Sequence, residues 1–134
     1  VFSCGQHYPK AGLLELTVID FGIGIPTSVR SLPQNVNMTT SETFAWAFQP
    51  GTSTKQSGVA RGVGLNLLKD YMVKNRGNFM IFSNDGCVII DDNGIRCENI
   101  CTSFGGTLVN IAFRCDESYY CLASEAPQLK KPLF

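Results

Sequence analysis

The chain has no excess of either charge, with Lys and Arg numbering 11 and Asp and Glu 11 among its 134 residues. Without a net field the molecule as a whole recruits neither nucleic acid nor an anionic membrane, so any anion site must be local. Histidine is almost absent, His7 standing alone. Cys97 and Cys101 have three residues between them and no second close pair, so a tetrahedral zinc set is excluded. No apolar run reaches the ~20 residues of a membrane-crossing helix. No leader of signal type precedes the cysteines, and neither an internal repeat nor a low-complexity tract is found. The expectation is therefore a soluble, cytoplasmic chain whose six cysteines (Cys4, Cys87, Cys97, Cys101, Cys115, Cys121) are reduced thiols. A hydrophobic share of 44% and a charged share of 16% fit one compact domain over residues 1–134, with a tail from about residue 116.

What is present is glycine in two clusters. The apolar stretch Leu13 to Ile19 runs directly into Asp20-Phe21-Gly22-Ile23-Gly24-Ile25-Pro26. This places a carboxylate at the end of a strand and two glycines where a flat ligand could approach bare backbone. Asp20 there can accept a hydrogen bond from an exocyclic amino group, and the ordinary alternative is a turn residue capping Gly22. The second cluster, Arg61-Gly62-Val63-Gly64-Leu65, opens an amphipathic helix carrying Leu65, Leu68 and Met72 at helical spacing as far as Asn75. Free N–H groups at that helix start, with the positive dipole end, favour phosphate, and Lys55 and Arg61 add local charge. A hinge into a helix is the ordinary reading of such a glycine pair.

Between the clusters, Thr27 to Leu32 reads as one or two helical turns capped by Thr27 or Ser28, and Ser41 to Phe48 as a short helix with Phe44 and Phe48 on one face. Residues 51–61 have almost nothing to bury and read as a lid or loop. After the long helix, which Arg76-Gly77 should stop, come a strand over 78–83, a turn at Asn84-Asp85-Gly86 and a strand over 87–90. A turn at 91–94, an edge strand over 95–100 and a last strand over 107–113 following Gly105-Gly106 complete the sheet. A short helix is expected over Ser118 to Ser124, and a frayed end at Lys130-Lys131-Pro132.

A P-loop is excluded because Val63 and Leu65, not Lys and Ser or Thr, follow Gly62 and Gly64. The Rossmann fingerprint fails because Thr27 stands where a third glycine belongs. The order Val18-Ile19-Asp20-Phe21-Gly22-Ile23-Gly24-Ile25-Pro26, then Gly62-Val63-Gly64-Leu65, then Gly105-Gly106-Thr107, resembles the GHKL (histidine-kinase-like) ATPase family over roughly Leu13 to Phe113. The resemblance implies that Asp20 binds the adenine amino group with Gly22, Gly24 and Ile25 beside it. It implies that Gly62, Val63, Gly64 and Leu65 carry the phosphates and that Thr107 reaches the adenine pocket through water. The loop from Pro50 to Arg61 corresponds to the family's lid, and Gly51-Thr52-Ser53-Thr54-Lys55 is similar to the Thr-Thr-Lys type of lid in sensor kinases.

The fold implied is α+β, a two-layer Bergerat sandwich with a mixed, mostly antiparallel sheet and helices on one face. The cofactors implied are ATP and Mg²⁺. No helix bearing the family's magnesium-binding asparagine precedes Asp20, because Gly5, Pro9 and Gly12 break any helical pattern. The metal ligand is therefore expected upstream of Val1, and the chain reads as an N-terminally truncated domain. Gly5-Gln6-His7-Tyr8-Pro9-Lys10 looks like the turn before the central strand in the STAS-associated or anti-sigma-like branch. The function implied is ATP binding in a protein that hydrolyses ATP or phosphorylates a protein partner. The rivals are a non-catalytic, nucleotide-responsive regulatory or interaction module, and a structural domain with degenerate glycine boxes. Loss of the covering helix should leave part of the sheet's apolar face bare and favour self-association.

Overall fold

A computed structural model describes residues 1–54, 64–116 and 118. Its frame is an antiparallel sheet of four strands: β1 (Phe2–Tyr8), β2 (Leu13–Asp20), β3 (Asn78–Asp91) and β4 (Gly94–Arg114), in the spatial order β1-β2-β4-β3. The helices are α1 (Ile25–Arg30), α2 (Thr40–Ala47) and α3 (Gly64–Asn75), with short 3-10 turns at Pro9–Ala11 and Pro33–Asn35. The fold is thus α+β. The expected mixed sheet is corrected, since every strand pairing among the described residues is antiparallel.

Register decides which side chains share a face. Phe79 pairs Ile111, which pairs Leu16, and Ile81 pairs Val109, which pairs Val18, so these six point the same way. On that side Phe44 and Phe48 of α2 and Met72 of α3 join Phe79, Ile81 and Ile111 in the core. Burial of each such side chain contributes roughly 1.5–3 kcal/mol. α2 begins at a capping box: Thr39 Oγ1 accepts from Glu42 N at 3.3 Å, while Thr39 N donates to Glu42 Oε2 at 2.7 Å. The helix thus begins at Thr40, one residue before the Ser41 expected from the sequence.

Four local expectations are corrected. Of residues 5–10 only Pro9 and Lys10 lie in the turn before β2, because Phe2–Tyr8 form an exposed edge strand paired to β2 from Phe2↔Ile19 to Tyr8↔Leu13. Gly5 and Pro9 do break a helix, but an extended strand tolerates one and ends at the other. α1 is not capped by Thr27 or Ser28; it starts at Ile25 behind Gly24, with proline in its first turn. Asn84-Asp85-Gly86 is not a hairpin turn but an irregularity inside β3, where the ladder jumps from Ser83↔Thr107 to Asn84↔Phe104 and then Gly86↔Asn99. The stretches 95–100 and 107–113 likewise belong to one strand of 21 residues.

That irregularity bends the long hairpin back on itself. Its outer half carries Val88 and Ile90 into the same cluster as Phe79 and Ile81. The turn residue Asp92 consequently reaches Arg114 at the far end of β4, 3.2 Å away. At the end of α3 it is Arg76, at φ 54°, that takes the left-handed conformation expected near Arg76-Gly77. The short helix predicted after Ser118 and the frayed end at 130–132 lie outside the described residues. No helix among the described residues is long and apolar enough to cross a membrane.

Candidate functional site

β2 ends on Asp20, and the turn that follows is held by β3. Ile25 N donates to Ser83 Oγ at 2.8 Å, and Ser83 Oγ donates to Gly106 O at 2.7 Å. Next door, Asn84 Nδ2 donates to Ile23 O at 3.1 Å, and Asn84 Oδ1 accepts from both Thr27 N and Thr27 Oγ1 at 3.2 Å. The glycine turn, the start of α1 and the bend in the hairpin are therefore one hydrogen-bonded unit. Asn84 sits at φ 52°, a left-handed position that asparagine tolerates better than other non-glycine residues.

This unit forms one wall of a cavity of about 510 Å³. Asp20, Gly24, Ile25, Gly64, Leu65 and Thr107 all line it, so the first glycine cluster, the start of α3 and the Gly-Gly-Thr segment of β4 open on the same space. Asp20 and Thr107 are direct partners in the β2–β4 ladder, and their side chains share a face. Lys55, Arg61, Gly62 and Val63 lie outside the described residues.

Gly24 lines the cavity and Gly22 does not. A Cβ at Gly22 would stand 2.7 Å from Asp20 Oδ2, so its absence leaves space for the aspartate's own carboxylate. Gly24 is required by its φ of 83° and by the Asn84 side chain, whose amide nitrogen would stand 2.7 Å from a Cβ there. Gly106, at φ 126°, lets β4 pass against the backbone of Asp20.

The polar chemistry of the wall follows from counting protons. The 3.0 Å contact between Ser83 Oγ and Thr107 Oγ1 allows either hydroxyl to donate, but Ser83 has one proton and gives it to Gly106 O, which leaves the threonine as donor. Thr107 then offers only lone pairs to the cavity, beside the Asp20 carboxylate, which no other described residue engages. Two acceptors side by side suit a donor group on a ligand. Opposite in character, α3 presents its N-terminal end at Gly64 and Leu65 to the cavity, the end at which the helix dipole is positive.

Among the cavity residues to which the sequence assigned no ligand contact are Trp46, Ser28, Thr52 and Thr54. Trp46 of α2 contributes an apolar ring; helical spacing puts it off the buried stripe of Phe44 and Phe48, a signal that was present and unused. Ser28 and Thr54 are joined at 3.2 Å, tying α1 to the segment that leaves α2. Thr52 Oγ1, bonded at 2.9 Å to both Trp46 O and Gln49 O, pins the base of that segment. Their polar types read as loop because nothing local shows what they reach.

No group of three metal-ligating side chains exists among the described residues. The five described cysteines are free, and burial pushes the Cys87 thiol up, with Glu98 and Cys97 adding to the shift. Compared with protein-family models, with curated proteins and with solved structures, the chain has no match in any of the three.

Proposed function

We propose that the chain is an adenine-nucleotide-binding domain of the histidine-kinase-like ATPase type, in a protein that hydrolyses ATP or phosphorylates a protein partner. The observation that carries the reading is that two acceptors, Asp20 and Thr107, share a cavity wall with the start of α3. In this assignment the purine lies against Ile25 and Trp46 with its amino group toward Asp20. The phosphates lie at Gly64 and Leu65, together with the undescribed Gly62 and Val63. Lys55 and Arg61 would add charge from the lid. Mg²⁺ would neutralise triphosphate charge when bound, with a protein ligand from outside the described residues.

A hydrogen bond to a charged acceptor contributes ~1.5–3 kcal/mol, roughly ten- to a hundredfold in affinity. Calorimetric titration with ATP should therefore show at least a tenfold loss for Asp20→Asn. GTP, whose ring presents a carbonyl where adenine has its amino group, should bind less well than ATP. Equal affinity of the variant and the native chain for ATP would end the assignment.

A second reading, a nucleotide-responsive module without turnover, draws support from one feature of the cavity. Asp20 is the only ionisable side chain among its described lining residues, and recognition already uses it. Phosphate release by the protein in the presence of ATP and Mg²⁺ separates the two, since the module releases none.

A further inference from the structure

The strand β1 is an outer edge of the sheet, and all seven of its residues are exposed. Proteins usually blunt such an edge with a charge, a proline or a bulge. Phe2-Ser3-Cys4-Gly5-Gln6-His7-Tyr8 holds no Lys, Arg, Asp, Glu or Pro, and its pairing to β2 runs without a register shift. On the face away from α2 and α3 a single apolar row crosses the whole sheet, because Phe82 pairs Leu108, Leu108 pairs Ile19, and Ile19 pairs Phe2. The row stops at the edge with Phe2 68% exposed, and Phe21 stacks on it edge-on at 6.1 Å.

We infer that this edge pairs with the same strand of a second copy, antiparallel about a two-fold axis at Gly5. Among registers about a residue of the strand, that one alone leaves none of the seven residues unpaired. Phe2 then stands opposite Tyr8 of the second copy, and Cys4 opposite its Gln6. Phe2 and Tyr8 lie on the same face, since their β2 partners are Ile19 and Leu13. The apolar row thereby continues across the axis onto Tyr8 and Leu13, and aromatic pairs directly opposite one another stabilise a ladder. On the other face the axis passes through glycine. A Cβ at Gly5 would stand 2.6 Å from Leu16 Cδ2, so Leu16 already leans over that position, and the two copies of Leu16 close over the paired glycines. No like charges meet anywhere along the seam. The contact is isologous and closes as a dimer rather than growing. Its small area makes it weak and concentration-dependent.

The test is light scattering in reductant over a concentration series. The native chain should double in mass as concentration rises. Cys4→Lys with Gln6→Lys sets lysines directly opposite one another and should stay monomeric, as should Cys4→Glu with Gln6→Glu. An equimolar mixture of the two variants should recover the dimer, which also shows that both are folded. A native chain that remains monomeric into the millimolar range, a lysine variant that dimerises like the native chain, or a mixture that stays monomeric overturns the inference.

Discussion

Ser83 is the residue on which the candidate site is assembled. It is fully buried and bonds at once to Ile25 N at the start of α1 and to Gly106 O and Thr107 Oγ1 of β4, so that with its own strand it joins three segments of the chain. Ser83→Ala would leave a buried carbonyl at Gly106 and a partly buried N–H at Ile25 without this partner, the buried group costing ~1–3 kcal/mol. Urea unfolding should show a lower midpoint with an unchanged slope, and a variant as stable as the native chain would mean that water replaces the hydroxyl. Asp20 behaves differently, because its exposed carboxylate supports no other described residue and its replacement should leave unliganded stability unchanged. The position of Asp20 at a strand end was legible in the sequence. The role of Ser83 was not, since a serine in an apolar strand announces nothing about partners at Ile25 and Gly106.

The folded-back hairpin formed by β3 and β4 raises the question of what holds it. Its tip has an exposed ion pair, Arg114 to Asp92, and its body has Val88 and Ile90 at 1% exposure each. Exposed pairs contribute under about 1 kcal/mol, whereas removing a buried isoleucine side chain costs ~2–5 kcal/mol. Ile90→Ala should therefore destabilise the protein severalfold more than Arg114→Ala when both are compared in urea.

The turn at the tip also titrates. Asp91 accepts from Arg96 at 3.0 and 2.7 Å and from Asn93 N at 2.8 Å, and the Arg96 hydrogen bonds hold its carboxyl below the ordinary range. A carboxyl lowered in the folded state stabilises above its unfolded pKa of roughly 4, and loses that contribution as pH falls through the folded value. Glu42 in the cap of α2 is lowered by its bond from Thr39 N and acts in the same direction. Thermal melts from neutral to acid pH should show a shallower acid loss for Asp91→Asn than for the native chain. An identical acid limb would mean that Asp91 titrates alike folded and unfolded. The turn at 91–94 is readable in the sequence, whereas Asn84-Asp85-Gly86 reads locally as a turn because asparagine, aspartate and glycine serve turns and bulges alike.

At the scale of the molecule, the cavity is walled by a strand end, two helix starts and the segment leaving α2, so a ligand filling it would tie these pieces together. A ligand at about a hundred times its dissociation constant stabilises the native state by ~2.7 kcal/mol. For a domain of this size that corresponds to a rise in Tm of about 10 °C. ATP should produce that shift in the native chain, and Asp20→Asn should lose it at the same concentration while its own unliganded Tm stays put. Absence of any shift with adenine nucleotides would favour a structural domain. On the helix-bearing side, Leu14, Leu16 and Val18 of β2 are only half-buried, because α2 and α3 pack over β3 and β4.

The sequence by itself determined the apolar strand segments 13–19, 78–83, 87–90 and 107–113, the amphipathic α3, the aromatic face of α2 and the placing of Asp20 at a strand end. Each of these depends on residues within a few positions of one another, and the 2-residue and 3.6-residue periods make them readable. Only the tertiary structure decided that Gly5 lies in an edge strand, that Asn84 is a clamp on the glycine turn and that Gly22 and Gly24 make room for protein side chains. These depend on what lies opposite in space, across ladders that join residue 20 to residue 107 and residue 83 to both residue 25 and residue 106. Such pairings are set by packing of the whole sheet against α2 and α3, and no local pattern encodes them.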